Sequence, residues 1–134
     1  MNNFKKEINN LIKLSSKKNK KSAIFVGTTV KRSKFYFSKP IVASEFCYLT
    51  AIVFSNSQCQ QLSKLIDNNI DVIFYDLEKK DEVKTKKNTF NLERVIKESI
   101  KKSTIFPYKA NDITVQAAEI LINIAKYKTS ILLN

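Results

Sequence analysis

Cys47 and Cys59 are the only thiols in the chain, and no histidine accompanies them. Histidine is the commonest general base and the commonest metal ligand, so two large classes of active site lose their central residue. The cysteines lack C-x-x-C spacing. They read as reduced, partly buried thiols in a reducing compartment, rather than as a disulfide or a metal pair. No Ser or Cys has a base nearby in sequence, and no carboxylates are placed as an acid–base pair. Gly27 is the only glycine. One glycine cannot write G-x-G-x-x-G or a P-loop, whose backbone N–H groups must approach phosphate closely.

One catalytic-looking placement needs a separate test. Asp76 falls at the end of an apolar strand and Lys109 follows a later one, as in a phosphoacceptor site and its lysine. Such a receiver site also needs paired acids after its first strand to hold Mg²⁺. Here that strand runs into Val26-Gly27-Thr28-Thr29, with no acid. Asp71 and Asp76 therefore read as strand-edge turn residues. The expectation is a protein that is not an enzyme, with no cofactor, no metal and no small-molecule substrate.

What remains is basic and aromatic. The chain carries 24 Lys+Arg against 12 Asp+Glu, a formal charge of +12. Such an excess repels itself unless a polyanion neutralises it, and nucleic acid is the usual one. Codon bias contributes to this excess. Arg32 and Arg94 are the only arginines, and Lys, Asn and Ile are abundant, as in AT-rich coding sequence. That bias does not halve the acids relative to the bases, so a basic contact surface is expected. Its candidates fall at element ends and in loops: Lys17, Lys18, Lys20 and Lys21; Lys31, Arg32, Lys34 and Lys39; Lys84, Lys86 and Lys87; and Lys101, Lys102 and Lys109. Ammonium groups there can reach phosphates and give affinity and register rather than base reading. Phe35, Tyr36 and Phe37 could stack on unpaired bases, although at least two of the three read as core.

The length of 134 residues suits one domain, residues 1–134, and 43% apolar residues suffice for a packed interior. No apolar run approaches the roughly 18–20 residues of a membrane span. Phe4, Ile8, Leu11 and Ile12 predict a helix from Asn3 to about Lys18. A basic, Ser-containing segment can also be a targeting presequence, but Glu7 and the lack of Arg weigh against that here. Ser22–Gly27 reads as a buried strand ending in a tight turn at the glycine. Residues 28–49 are hard to read, and Pro40 stops any regular element there. Thr50–Phe54 predicts a second strand. Ser57 and Gln60 then form a capping box for a helix burying Cys59, Leu62, Leu65 and Ile66. Asp67-Asn68-Asn69 ends that helix, and Asp71–Asp76 is a third strand. Residues 78–89 are charged and read as a solvated loop. A helix over about Asn91–Lys102 buries Leu92, Val95, Ile96 and Ile100. Thr104–Phe106 is a strand closed by Pro107. Asn111 or Asp112 caps a last helix burying Ile113, Ala117, Ile120, Leu121 and Ile124. The apolar tail Ile131–Leu133 packs back or meets a partner. Apolar strands alternating with amphipathic helices predict an α/β unit with a parallel sheet.

Three stretches in this order resemble the universal small-subunit ribosomal protein "S-two" family. Ile8–Thr28 (INNLIKLSSKKNKKSAIFVGT) is similar to the family's long helix and strand ending in an F-V-G-T turn, here including Gly27 and Thr28. Thr50–Asp76 (TAIVFSNSQCQQLSKLIDNNIDVIFYD) is similar to its strand, helix and I-P-V-I-A-I-V-D strand. Ile105–Ile124 (IFPYKANDITVQAAEILINI) is similar to its strand, P-G-N-D-D-A-I turn and terminal helix, with Pro107, Asn111 and Asp112 matching the turn. These blocks cover about half of the chain, and each alone is weakly specific. The resemblance implies a Rossmann-like (flavodoxin-like) parallel sheet with flanking helices. It implies no catalytic role and a place on the small subunit among ribosomal RNA and neighbouring ribosomal proteins, away from any membrane. The departures are large. The G-V-H-F-G-H region, the inserted helical hairpin and the N-N-R-W-L-G-G-T motif are absent. Thr29 and Val30 replace the basic residues after F-V-G-T, Ala110 replaces the glycine before Asn-Asp, and residues 78–103 look like an insertion. A reduced, AT-biased member suits an organellar ribosome, most simply a mitochondrial one, with the cytoplasm of an AT-rich bacterium as the alternative. A free-standing α/β RNA-binding or regulatory module and a degenerate nucleotide-binding enzyme stay open beside it.

Overall fold

A computed structural model describes residues 2–28, 34–77 and 91–109. Within them lie α1 (Asn2–Lys18), β1 (Lys21–Gly27), β2 (Tyr36–Phe37), β3 (Ile41–Val42), β4 (Phe46–Ile52), α2 (Asn56–Ile66), β5 (Val72–Asp76), α3 (Leu92–Ser99) and β6 (Thr104–Tyr108). The strands form one six-stranded sheet in the order β2-β4-β1-β5-β6, with β3 also on β4. β4, β1, β5 and β6 are mutually parallel, whereas β2 and β3 run antiparallel to β4. The α/β expectation holds, and the sheet is mixed rather than wholly parallel. The chain returns along the outer edge of β4 in two short pieces on either side of Pro40, because the proline interrupts any single long strand.

The sheet has two unlike faces. Ile24, Val26, Cys47, Leu49, Ala51, Ile73 and Tyr75 are buried in one core with Phe4, Ile8 and Leu11 of α1, Cys59, Leu62 and Ile66 of α2, and Leu92, Val95 and Ile96 of α3. All three described helices therefore pack on one side. Each fully buried Leu or Ile contributes about 1.5–3 kcal/mol from burial, so this layer is the main cohesive element. Phe35 and Phe37 are half-buried and pack edge-on to Phe4 at centroid distances of 5.0 and 5.4 Å, while Tyr36 points outward. Two of the three rings are thus core, and they fasten the β2 edge to α1. Ile12, expected on the apolar face of α1, is exposed, and Ser15 is buried in its stead.

Four further expectations are corrected. The second strand begins at Phe46, not Thr50, because its whole length pairs with β1 from Lys21↔Phe46 to Gly27↔Ile52. The cap of α2 is Ser55, whose Oγ accepts the Gln58 N–H at 3.1 Å, while Gln58 Oε1 accepts the Phe54 N–H at 2.7 Å. The capping box is therefore Ser55–Gln58, two residues earlier than Ser57–Gln60. Pro107 does not close β6 but lies inside it, paired with Tyr75. Thr104 N donates to Asp71 O and Leu77 N donates to Tyr108 O, so the even-numbered residues of β6 bond to β5. The nitrogen of Pro107 faces the other way, and no ladder bond is lost. Finally, Gly27 makes no left-handed turn: no glycine has a positive φ. A Cβ on it would meet Ile52, Tyr108 and Asp76 at ordinary contact distances of 3.5–4.0 Å.

Candidate nucleic-acid interface

A helix joining two parallel strands must run back against them, so its carboxyl end lies at the amino edge of the sheet. α2 and α3 are such helices, and α1 delivers the chain to the amino end of β1. That edge collects the largest described group of predicted lysines. Lys17 and Lys18 form the last turn of α1 and are exposed. Asn19 adopts the left-handed conformation at φ 52°, and its N–H donates to Ser16 O while Lys20 N–H donates to Ser15 O. This Schellman closure turns the chain sharply, so Lys17 and Lys18 precede one tight turn and Lys20 and Lys21 follow it. Lys20 is half-buried, and its Nζ donates to Ala43 O, which fixes it to the strand connection. Lys21 is exposed.

Lys101 and Lys102 reach the same edge from α3. Their backbone is held by Asp67, which accepts N–H groups from Lys101 (3.1 Å), Lys102 (2.9 Å) and Ser103 (3.0 Å). Ser103 Oγ accepts the Asn68 N–H and donates to Ile70 O, so the turns after α2 and before β6 form one knot. Partial burial of Asp67 pushes its pKa up. The N–H donors of Ser103, Lys102 and Lys101, with the charge of Lys102, outweigh this and leave it below its ordinary value. The carboxylate is thus ionised and committed to backbone. Asp71 is committed likewise: its Oδ2 accepts the Ser22 N–H and hydroxyl, and its own N–H donates to Ser22 Oγ. β1 and β6 are two strands apart across β5, about 10 Å. The lysines on either side of β5 therefore lie along one edge of the sheet, where Asp67 and Asp71 direct their hydrogen bonds to the turn before β6 and to Ser22.

Lysines in a last helical turn also stabilise the negative carboxyl end of the helix, so part of this pattern has a purely local reason. Lys64 in the last turn of α2 belongs to the same group and was not among the predicted residues. Its signal was present as the last base before Asp67-Asn68-Asn69.

The other predicted residues are dispersed. Lys39 is exposed on the outer edge between β2 and β3, and Lys34 and Lys109 are exposed towards the carboxyl edge. Gly27, Thr28 and Pro107 also lie there, remote from the lysine group. Lys31, Arg32, Lys84, Lys86, Lys87, Asn111 and Asp112 lie outside the described residues. So do the predicted 78–89 loop, the last helix and the Ile131–Leu133 tail. Of the stretch read as an insertion, residues 91–103 hold α3, which supplies core residues.

Beside Lys20 and Lys21 lies a hollow of about 350 Å³, floored by Ala23 and Val72 and walled by Phe46 and Phe74, with Glu45 on its rim. Cys47 and Cys59 are both free and fully buried. Burial pushes the Cys59 thiol up to about 12, against the opposing hydrogen bond with Ser63, so it is protonated at neutral pH. Among the described residues no group of three His, Cys, Asp or Glu is placed to hold a metal, and no helix is long and apolar enough to cross a membrane. Compared with known proteins, the chain matches no protein-family model, no curated protein and no solved structure.

Proposed function

We propose that this chain is a non-catalytic constituent of a small ribosomal subunit that binds ribosomal RNA through the amino edge of its sheet and neighbouring ribosomal proteins through other surfaces. The observation that carries the RNA part is the convergence of Lys17, Lys18, Lys21, Lys101 and Lys102 on one edge, above acids committed to backbone N–H groups. Exposed ammonium groups gathered on one edge suit a phosphate backbone. The ribosomal part rests on the sequence resemblance, and the fold is compatible with it. The parallel strands run β4-β1-β5-β6, or second-first-third-fourth in chain order, as in a flavodoxin-like doubly wound sheet. On this reading AT-biased composition and reduction favour a mitochondrial particle, with the cytoplasm of an AT-rich bacterium as the alternative.

Sedimentation of cell or organelle lysate tests it. The tagged chain should travel with small subunits in moderate salt. A variant carrying Gln at Lys17, Lys18, Lys21, Lys101 and Lys102 should fold normally and fall out of that fraction. A wild-type chain found only in the soluble fraction would overturn the ribosomal reading. If it then still binds RNA as a monomer, it is a free-standing RNA-binding module.

A further inference from the structure

The second face of the sheet is aromatic. Phe25 stacks on Phe74 at 4.7 Å with ring planes 12° apart, and Phe74 stacks on Phe106 at 6.0 Å. Tyr48 and Tyr108 meet Phe25 edge-on at 5.5 and 5.6 Å, and Phe46 lies tilted beside it. These rings form one strip across β4, β1, β5 and β6, on the face opposite the three described helices. Side chains alternate along a strand, so Lys21 and Ala23 of β1 and Val72 of β5 share this face with Phe46 and Phe74. Ala23 and Val72 are much smaller than the rings around them, so the strip steps down there. The step is the hollow of about 350 Å³, and it lies at the amino edge, where Asn19, Lys20 and Lys21 complete its lining.

We propose that this hollow seats one unpaired guanine of a single-stranded RNA whose phosphates run along the lysine edge. The inference rests on the RNA-binding reading and adds a base-reading subsite to it. The hollow is at the small end of ligand sites, which span roughly 300–1,000 Å³, so it suits a base with its ribose and nothing longer. Phe46 and Phe74 stand 6.2 Å apart with ring planes at 32°. A base between two rings needs roughly 7 Å, two contacts of about 3.5 Å, so it lies against this pair rather than between them. Such stacking accepts any base. The rim makes the choice. Among the described residues lining the hollow, Glu45 is the one carboxylate, and its side chain is exposed. It sits in a turn closed by the Ala43 N–H donating to Phe46 O, and the Lys20 ammonium ties Ala43 O to the lysine turn. Glu45 is thereby held beside Asn19 and Lys21. A carboxylate repels phosphate, but its two oxygens accept a pair of N–H donors. Guanine alone among the RNA bases carries two adjacent N–H donors on its pairing edge. The carbonyl oxygen next to them takes a donor, and Asn19 and Lys21 line the same hollow.

Fluorescence anisotropy on the full chain tests it, comparing a labelled oligouridine with the same strand carrying one central guanosine. The guanosine should tighten binding about tenfold, the scale of one bidentate base contact. Glu45→Gln, at an exposed site, should abolish that preference while tightening the plain oligouridine, because it removes a negative charge among lysines. Equal tightening of both strands makes Glu45 merely electrostatic and overturns its base-reading role. Val72→Phe fills the hollow and leaves every lysine in place, so it should remove the guanosine preference and keep oligouridine binding. If Val72→Phe fails to fold, photo-cross-linking of the wild type decides: a central thioguanosine should attach at Phe46, Val72 or Phe74, and attachment elsewhere overturns the proposal. Equal affinity of the wild type for both strands overturns the subsite and leaves the lysine edge standing. No binding of either strand overturns both. Guanosine monophosphate that binds as tightly as the guanosine strand overturns the RNA occupant and makes the hollow a free-nucleotide site.

Discussion

Asp67 sits just beyond α2 and accepts three backbone N–H groups from the turn that carries Lys101 and Lys102. Without it that turn has no fixed conformation, and two lysines lose their place at the sheet edge. Its pKa is lowered on folding, so the folded state favours the ionised form. A lowered carboxylate pKa contributes stability above the unfolded-state value, and that contribution is lost as the pH falls through the folded-state value. Asp67→Asn should therefore cost about 1–2 kcal/mol at neutral pH, the scale of hydrogen bonds to a charged acceptor at a partly exposed site. Urea unfolding at neutral and acid pH checks this. The gap between wild type and variant should close as the pH drops below the carboxylate range, and a gap that widens in acid would contradict it. Sequence reading made Asp67 a helix terminator, which is correct. Its partners lie more than thirty positions away, so no local pattern could reveal that it also positions lysines.

The elements divide by how their stability arises. α1, α2, α3, β1 and β5 carry their own apolar periodicity, and their extents were legible to within a few residues. β2 and β3 have two residues each and exist because they pair with β4. Such strands have no period to read. The start of β4 was hidden for the same reason, since Phe46 to Leu49 follow Pro40 in a stretch of mixed character. The cap of α2 was a choice between two S-x-x-Q frames. Chain geometry decided it, because Phe54 must leave the sheet with its N–H satisfied by Gln58. Ser55→Ala should accordingly lower stability by about 0.5–2 kcal/mol. Ser57→Ala should stay within about 0.5 kcal/mol, as for an exposed surface site. Thermal melts of the two variants distinguish the frames directly.

For the molecule as a whole, charge and topology together set the expected binding behaviour. Phosphate contacts release counterions, so affinity falls steeply with salt. On single-stranded RNA each lost contact should flatten the log–log slope by about 0.7, so the five-lysine variant should flatten it by up to about 3.5. Fluorescence anisotropy over a salt series measures this, and an unchanged slope would move the interface away from the amino edge. By itself the sequence determined the α/β class, the helical core residues, the missing histidine and glycine-rich chemistry, and the basic excess. Those follow from composition and from periods of a few residues, which short-range sterics and burial dictate. Only the tertiary structure decided which lysines share a surface, that Gly27 and Pro107 lie at the other edge, and that the strands present an aromatic face opposite all three described helices. Strand order brings together residues far apart in the chain, and no local periodicity encodes that order.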